Sequence, residues 1–242
     1  MPNPTAAILI IGDEILTGRT REGNAHHLAG ELVKVGFDLR QIRVISDDHA
    51  TIVAAVRELA AGHDQLFTSG GIGPTHDDIT ADAVAEAFDR PISVRADARA
   101  ILATHYAARR VEFTEARLRM ARIPDGAALI DNPVSGAPGF TIGNCHVMAG
   151  VPNIFQAMVA GLLPRLAGGA PLLSRNWQLM VAEAAIADDL RTLATAHPEV
   201  SFGSYPFVTE GNYGTNLVVR CTDPAALEAA FAALKAAFPE GQ

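Results

Sequence analysis

The stretch QLFTSGGIGPTHDDIT, residues 65–80, decides how the chain is read. Gln65 to Ser69 reads as a short strand. Gly70, Gly71 and Gly73 then allow backbone conformations closed to other residues, and Ile79, Ala83, Val84 and Ala87 follow at the spacing of one helix face. A strand that passes through a glycine loop into a helix is half of a βαβ unit. The residues before it repeat the pattern twice. Ala6 to Ile11 is an unbroken apolar run, as expected of a parallel strand covered on both faces, and it stops at Gly12. Leu28, Leu32 and Val35 mark a helix from about Gly23, with Gly36 placed to terminate it. Phe37 to Ser46 reads as the next strand, and Ile52, Val56 and Leu59 as the next helix, preceded by Asp47 and Asp48. Such alternation with short connections implies right-handed crossovers around a parallel sheet.

Beyond Pro91 the sequence predicts helices over Ala96 to Arg109 and Glu115 to Arg122. Short strands follow between Leu129 and Met148, interrupted by PVSGAPGF, and then a helix from Asn153 to Leu166. Residues 167–175, AGGAPLLSR, have linker chemistry, so the expected domains are 1–168 and 176–242. The second reads as strand Trp177 to Ala184, helix Ile186 to Ala196, strands Val200 to Pro206 and Thr215 to Cys221, and helix Pro224 to Phe238. The expected fold class is α/β, with a mostly parallel sheet in the first domain and a small α+β second domain.

Composition narrows the function. A net charge of −8 leaves no excess of cations to displace counterions from a nucleic acid, so no nucleic-acid partner is expected. No apolar run approaches the roughly 20 residues that cross a bilayer, and no basic segment precedes the first apolar run. A cytoplasmic protein without membrane attachment is expected. Cys145 and Cys221 form no CxxC or Cys/His cluster. His26, His27 and His76 lack zinc-hydrolase spacing, there is no GxSxG, and the glycine loop is neither a Walker A motif nor a GxGxxG fingerprint.

The residues with chemistry cluster after the strands. In open α/β sheets, ligands bind beyond the carboxyl ends of the strands. Gly70, Gly71 and Gly73 would let several N–H groups converge on one anion, with the next helix presenting its positive end nearby. Ser69, Pro74, Thr75 and Thr80 share that loop as candidate ligand contacts. Asp77 and Asp78 would repel a phosphate unless a divalent cation bridged them to it; alternatively Asp78 caps the following helix and Asp77 is solvated. Gly12, Asp13 and Glu14 after the first strand either meet ligand or metal or form a capped turn. Asp47 stands in the same position after the second strand, beside the obvious cap Asp48. Asn24 reads either as a ligand contact or as a buried hydrogen-bonding residue. Gly136, Pro138 and Gly139, with GVP at 150–152, make two rigid turns of low bulk that can admit a ligand or simply turn the chain. Tyr205 and Tyr213, in a hairpin bracketed by GSYPF and GNYG, read as core or interface residues, with stacking on a ligand ring the alternative.

Taken together, GDEILTG at 12–18, Asn24, SDD at 46–48 and SGGIGPTHDDIT at 69–80 resemble the molybdopterin-binding MoaB/Mog superfamily in its CinA-like branch. PGFTIGN at 138–144 and AGVP at 149–152 extend the resemblance, which covers about residues 6–166. The region after it is similar to the one that follows this module in CinA-like proteins and in eukaryotic FAD synthases. The resemblance implies a three-layer sandwich and a homo-oligomer. Its implied partner is a small-molecule nucleotide or pterin bearing a phosphate or diphosphate. For MoaB/Mog members it implies adenylylation of molybdopterin. For CinA-like members it implies metal-dependent pyrophosphatase activity on ADP-ribose, and for the FAD synthase module on FAD, with Mg, Co or Ni as the ion. A catalytically silent nucleotide-binding module is the remaining alternative. On this resemblance Gly70, Gly71 and Gly73 hold phosphate, and Asp78 is the aspartate that ends the loop. Asp77 stands where the adenylyltransferases usually carry Arg, which favours the hydrolytic branch, with Asp47, Asp77 and Asp78 as metal and catalytic residues. Phe155 departs from the carboxylate usual in CinA after GVP. With no room for a C-terminal amidohydrolase domain after Gln242, nicotinamide mononucleotide deamidation is not expected.

Overall fold

The computed structural model describes residues 2–209 and 211–242, which divide into one unit up to Gly169 and another from Ala170 to Gln242. In the first, the strands are β1 (Thr5–Ile11), β2 (Asp38–Ile45), β3 (Gln65–Ser69), β4 (Ile92–Val94), β5 (Arg122–Pro124), β6 (Ala128–Ile130), β7 (Gly139–Ile142) and β8 (Cys145–Met148). The helices are α1 (Asp13–Leu16), α2 (Asn24–Lys34), α3 (His49–Gly62), α4 (Thr80–Ala87), α5 (Ala96–Ala108), α6 (Glu115–Leu118) and α7 (Pro152–Leu162). A six-stranded sheet runs in the order β2-β1-β3-β8-β7-β6. Its β2, β1, β3 and β8 are parallel, and β7 and β6 are antiparallel.

Two cores on opposite faces of this sheet make three layers. Along β1, Ala7, Leu9 and Ile11 face the core formed with α3, α4 and α5, whereas Ala6, Ile8 and Ile10 face the one formed with α2 and α7. Burial on both sides accounts for the unbroken apolar run in place of alternation. Asp48 caps α3 by accepting from the Thr51 N–H at 2.8 Å.

Several boundaries differ from expectation. The helix predicted over 115–122 is four residues long, followed by a 3-10 turn at 119–121, and Arg122 already belongs to β5. β5 pairs with β4 in a two-stranded ribbon too short for a sequence pattern. The expected linker is partly structure. Gly169 donates to the Val35 carbonyl at 3.2 Å, and a Cβ on Gly168 would lie 1.9 Å from that oxygen, so the glycines serve close packing.

The second unit contains β9 (Leu173–Leu179), α8 (Glu183–Ala196), β10 (Ser201–Thr209), β11 (Asn212–Cys221) and α9 (Pro224–Ala237). Its antiparallel sheet, ordered β10-β11-β9, buries Leu179, Leu217, Val219, Leu227 and Leu234 in a core of its own. β9 starts four residues before the predicted Trp177 because Leu173 pairs with Cys221. Tyr205 and Tyr213 are 46% and 70% exposed, so of the readings core or interface the first does not hold. Among the described residues no helix is long and apolar enough to cross a membrane.

His146 on β8 carries a stability prediction. Its ring is buried against Phe67, with Nε2 2.7 Å from Gln65 Oε1 and Nδ1 2.9 Å from Thr141 Oγ1, and burial pushes its pKa down to about 4. Between pH 6.5 and about 4 the unfolded chain binds a proton that the folded ring refuses, so stability falls as pH falls, by roughly 3 kcal/mol at most. Urea unfolding at pH 7 and pH 4.5 checks this: His146→Gln should flatten the difference, and an equal slope in the variant contradicts it.

Candidate functional site

The register of the parallel strands assembles the site. Ile11 pairs with Ile45, Ile10 with Ser69, and Ser69 with Met148, so four strands finish in line at one edge of the sheet. The loops that leave there enclose a cleft of about 480 Å³, with Gly12, Glu14, Asp47, the 70–74 loop, Asp77 and Asp78 in its wall. The segments after β1, β2 and β3 therefore face one space. Gly150, just ahead of α7, and Pro152, its first residue, complete that edge.

The glycine loop is set by close approach. Gly70 has φ +110°, and a Cβ there would lie 2.1 Å from the Ile11 carbonyl oxygen; Gly71 has φ +69° and lies against Thr80. Gly70 N–H donates to Met148 at 3.2 Å, and Thr80 N–H returns to the Gly71 carbonyl at 3.0 Å. Among the described residues, the amides of Gly71, Ile72 and Gly73 have no protein acceptor. They supply donors for an anion at the edge of the cleft.

Asp78 does not cap α4. The position before the helix is Ile79, without a side-chain cap, and Asp78 Oδ2 accepts instead from the Thr75 N–H at 2.8 Å and the Thr75 hydroxyl at 2.5 Å. It staples the loop into a turn while still lining the cleft. Asp77 lines the same cleft, and the polar groups beside it, the Thr75 side chain first and then its own amide, hold its carboxyl below the usual carboxylate range.

Asp47 lies the other way. Burial pushes its carboxyl up; the Asp13 N–H, donating at 2.9 Å, opposes this, and the negative charges of Asp13, Glu14 and Asp77 add to the rise. Asp13 thus acts through its amide, its own side chain standing outside the cleft wall, whereas Glu14 lines it. Among the described residues no three His, Cys, Asp or Glu side chains form a ready metal cage. What exists is a crowd of like charges around half-buried Asp47. That donor set fits a cation completed by water and phosphate oxygens, as Mg²⁺ prefers, rather than one enclosed by protein.

Asn24 is buried beneath the cleft. Its Nδ2 donates to Ser69 Oγ at 2.9 Å and to the Gly150 carbonyl at 2.7 Å, tying the end of β3 to the loop before α7. Its Oδ1 has no partner among the described residues. Asn24 and Ser69 line a separate recess of about 60 Å³.

Other predicted contacts stand back. Thr80 is fully buried under Gly71 and out of ligand reach, and Thr75 is committed to Asp78. Pro138 faces a void of only about 20 Å³ behind the loop. Gly136, at φ +75°, packs on His105, and Gly139 is enclosed by Val147 and Met158, so both serve the turn and the core. The sequence reading missed Met120, Asn132, Ser135 and Ile154, which with Val151 of the GVP turn bring apolar surface and a further hydroxyl to the cleft. Of these only Asn132, an Asn opening a Pro-containing turn, carried a recognisable signal.

Residues 7–168 match the family profile described as "Probable molybdopterin binding domain", and residues 171–242 match one described as "FAD synthase, middle domain". A CinA-like protein of Desulfosudis oleivorans is 34% identical over 209 residues, covering 82% of this chain and 51% of that protein. The chain thus spans about half the length of that curated relative. The crystal structure of a CinA of unknown function from Thermoplasma acidophilum superposes with a TM-score of 0.62 at 32% identity, over 66% of this chain and 98% of that one. A MoaB from Thermus is 20% identical with a TM-score of 0.44, over 67% of this chain and 91% of that one.

Proposed function

The chain belongs to the molybdopterin-binding-domain family, in the CinA-like branch of the MoaB/Mog superfamily, and from that footing we propose that it is a metal-dependent nucleotide pyrophosphatase acting on a dinucleotide of the ADP-ribose or FAD class. One observation carries the reading: residues with unpaired loop amides and a crowd of acidic residues line the same cleft. An anhydride of two phosphates needs donors and positive charge, and the amides supply only the first. Carboxylates beside a phosphate site would oppose binding unless they shared a cation with the ligand.

Asp47 and Asp77 would hold that cation, with the unstapled oxygen of Asp78; it would neutralise charge on the phosphates. The amides of Gly71, Ile72 and Gly73 bind phosphate oxygens and fix the anhydride in place. Glu14, in α1 just after β1, orients the attacking water. Water forms a new P–O bond to one phosphorus, the bridging P–O bond breaks, and the bridging oxygen leaves with the other phosphate. ADP-ribose would thereby yield AMP and ribose 5-phosphate, each a dianion, with the two protons of the attacking water released to solvent. Positioning and charge neutralisation dominate such a reaction.

The family description favours one competing reading, in which the ligand is a pterin and the chemistry is adenylylation or binding alone. AMP release from ADP-ribose or FAD, with Mg²⁺, Co²⁺ or Ni²⁺ and with chelator, separates the two. Cation-dependent cleavage lost in Asp78→Asn is the expected result. Binding without turnover, indifferent to metal, would defeat the proposal, and molybdopterin-dependent ATP consumption would establish the competing one.

A further inference from the structure

Asn132 is 7% exposed and has every amide valence filled. Its Oδ1 accepts from the N–H groups of Val134 at 3.1 Å and Ser135 at 3.0 Å, and its Nδ2 donates to Ser135 Oγ at 2.7 Å and to the Ala137 carbonyl at 2.8 Å. This turn fixes Ser135 at both its amide and its hydroxyl oxygen, in the wall of the cleft. Because Oγ is the acceptor in that bond, its own proton is left over, and among the described residues nothing accepts it. A hydroxyl donor without an internal partner, on a rigid mount, is a group prepared for a ligand.

Its surroundings define the chemistry. Met120, Ala137, Ala149, Val151 and Ile154 line the same cleft, and Val151 is 54% exposed. The acidic residues and loop amides account for the diphosphate. They leave this apolar surface and one neutral donor unexplained, and a flat ring with a lone pair at its edge satisfies both.

We propose that Ser135, positioned by Asn132, is the ring-recognising residue of the cleft, donating to an edge acceptor of a fused nitrogen heteroaromatic ring such as a purine, pterin or flavin. The inference rests on the proposed diphosphate site, since it assigns the ring end of the same ligand. A polar site discriminates strongly when the alternative ligand leaves a group unpaired.

Calorimetric titration with ADP and with inorganic pyrophosphate, both in Mg²⁺, tests it, because the two share the diphosphate and only ADP carries a ring. Wild type should bind ADP more tightly than pyrophosphate. Ser135→Ala should weaken ADP roughly 2- to 10-fold, the range of one neutral hydrogen bond, and leave pyrophosphate unchanged. Ser135→Thr, which keeps the hydroxyl, should restore ADP binding to within about 2-fold. Equal weakening of both ligands in Ser135→Ala, or unaltered ADP binding, would overturn the assignment. Wild type that binds neither would instead defeat the diphosphate reading beneath it.

Discussion

Replacing Asp47 by Asn is expected to lower dinucleotide cleavage on the order of 10²–10³-fold while the unfolding midpoint stays level or rises. The two halves of that expectation come from one environment. The Asp47 carboxyl accepts the Asp13 N–H at 2.9 Å, a bond that an Asn carbonyl oxygen in the same place can accept equally. The local fold therefore keeps its support. The negative charge, by contrast, is unwelcome: burial and the charges of Asp13, Glu14 and Asp77 all push against ionisation. Removing it relieves the folded state and deprives a cation of its central partner, the usual trade between stability and activity at a site. Thermal unfolding of wild type and variant, run beside the AMP-release assay, reads both. A variant that loses stability along with activity would mean that Asp47 is structural, and one that keeps activity would remove it from the mechanism.

Gly70→Ala should cost about 2–5 kcal/mol, from the strain of positive φ and from overpacking, and should abolish phosphate binding in whatever remains folded. At φ +110° a side chain is strained before any contact is counted, and the new Cβ would sit 2.1 Å from the Ile11 carbonyl oxygen. That oxygen is backbone at the end of β1, so relief requires β1 and β3 to part where the cleft begins. Gly18→Ala is the matched control. Its φ of +71° is also left-handed, but nothing lies within 4 Å of the added Cβ, so only the conformational penalty of about 1–2 kcal/mol applies. Chemical denaturation of the two variants, with pyrophosphate titration, separates the terms. Equal losses in both would show that close approach at Gly70 contributes nothing.

Much of the first unit was legible because its signals are local. Ile-rich Ala6 to Ile11, Leu28 with Leu32, and Ile52 with Val56 and Leu59 each report their own burial through spacing, and each lies in the element it predicted. Where the signal was short, the reading slipped: β4 has three residues, α6 has four, and β9 begins inside a stretch that composition assigns to a linker. Partnership rather than propensity decides those segments, since Leu173 is a strand residue because Cys221 lies opposite.

The same division runs through the site. Glycines 70, 71 and 73 and the acidic residues after each strand were conspicuous in the sequence because only unusual backbone or unusual charge explains them there. Their convergence also followed from alternation alone, since parallel strands end on one edge. What local sequence could not supply was the duty of each side chain. Asp78 bonds Thr75 rather than capping a helix, Asp13 contributes its amide rather than its carboxylate, and Thr80 lies under the loop rather than in it. Ser135 gained its place only through Asn132. Chain order determined which strand ends meet, because periodicity and connection length are properties of neighbours along the backbone. Tertiary packing decided which polar atoms remain unpaired there, because hydrogen bonds are assigned by proximity in space.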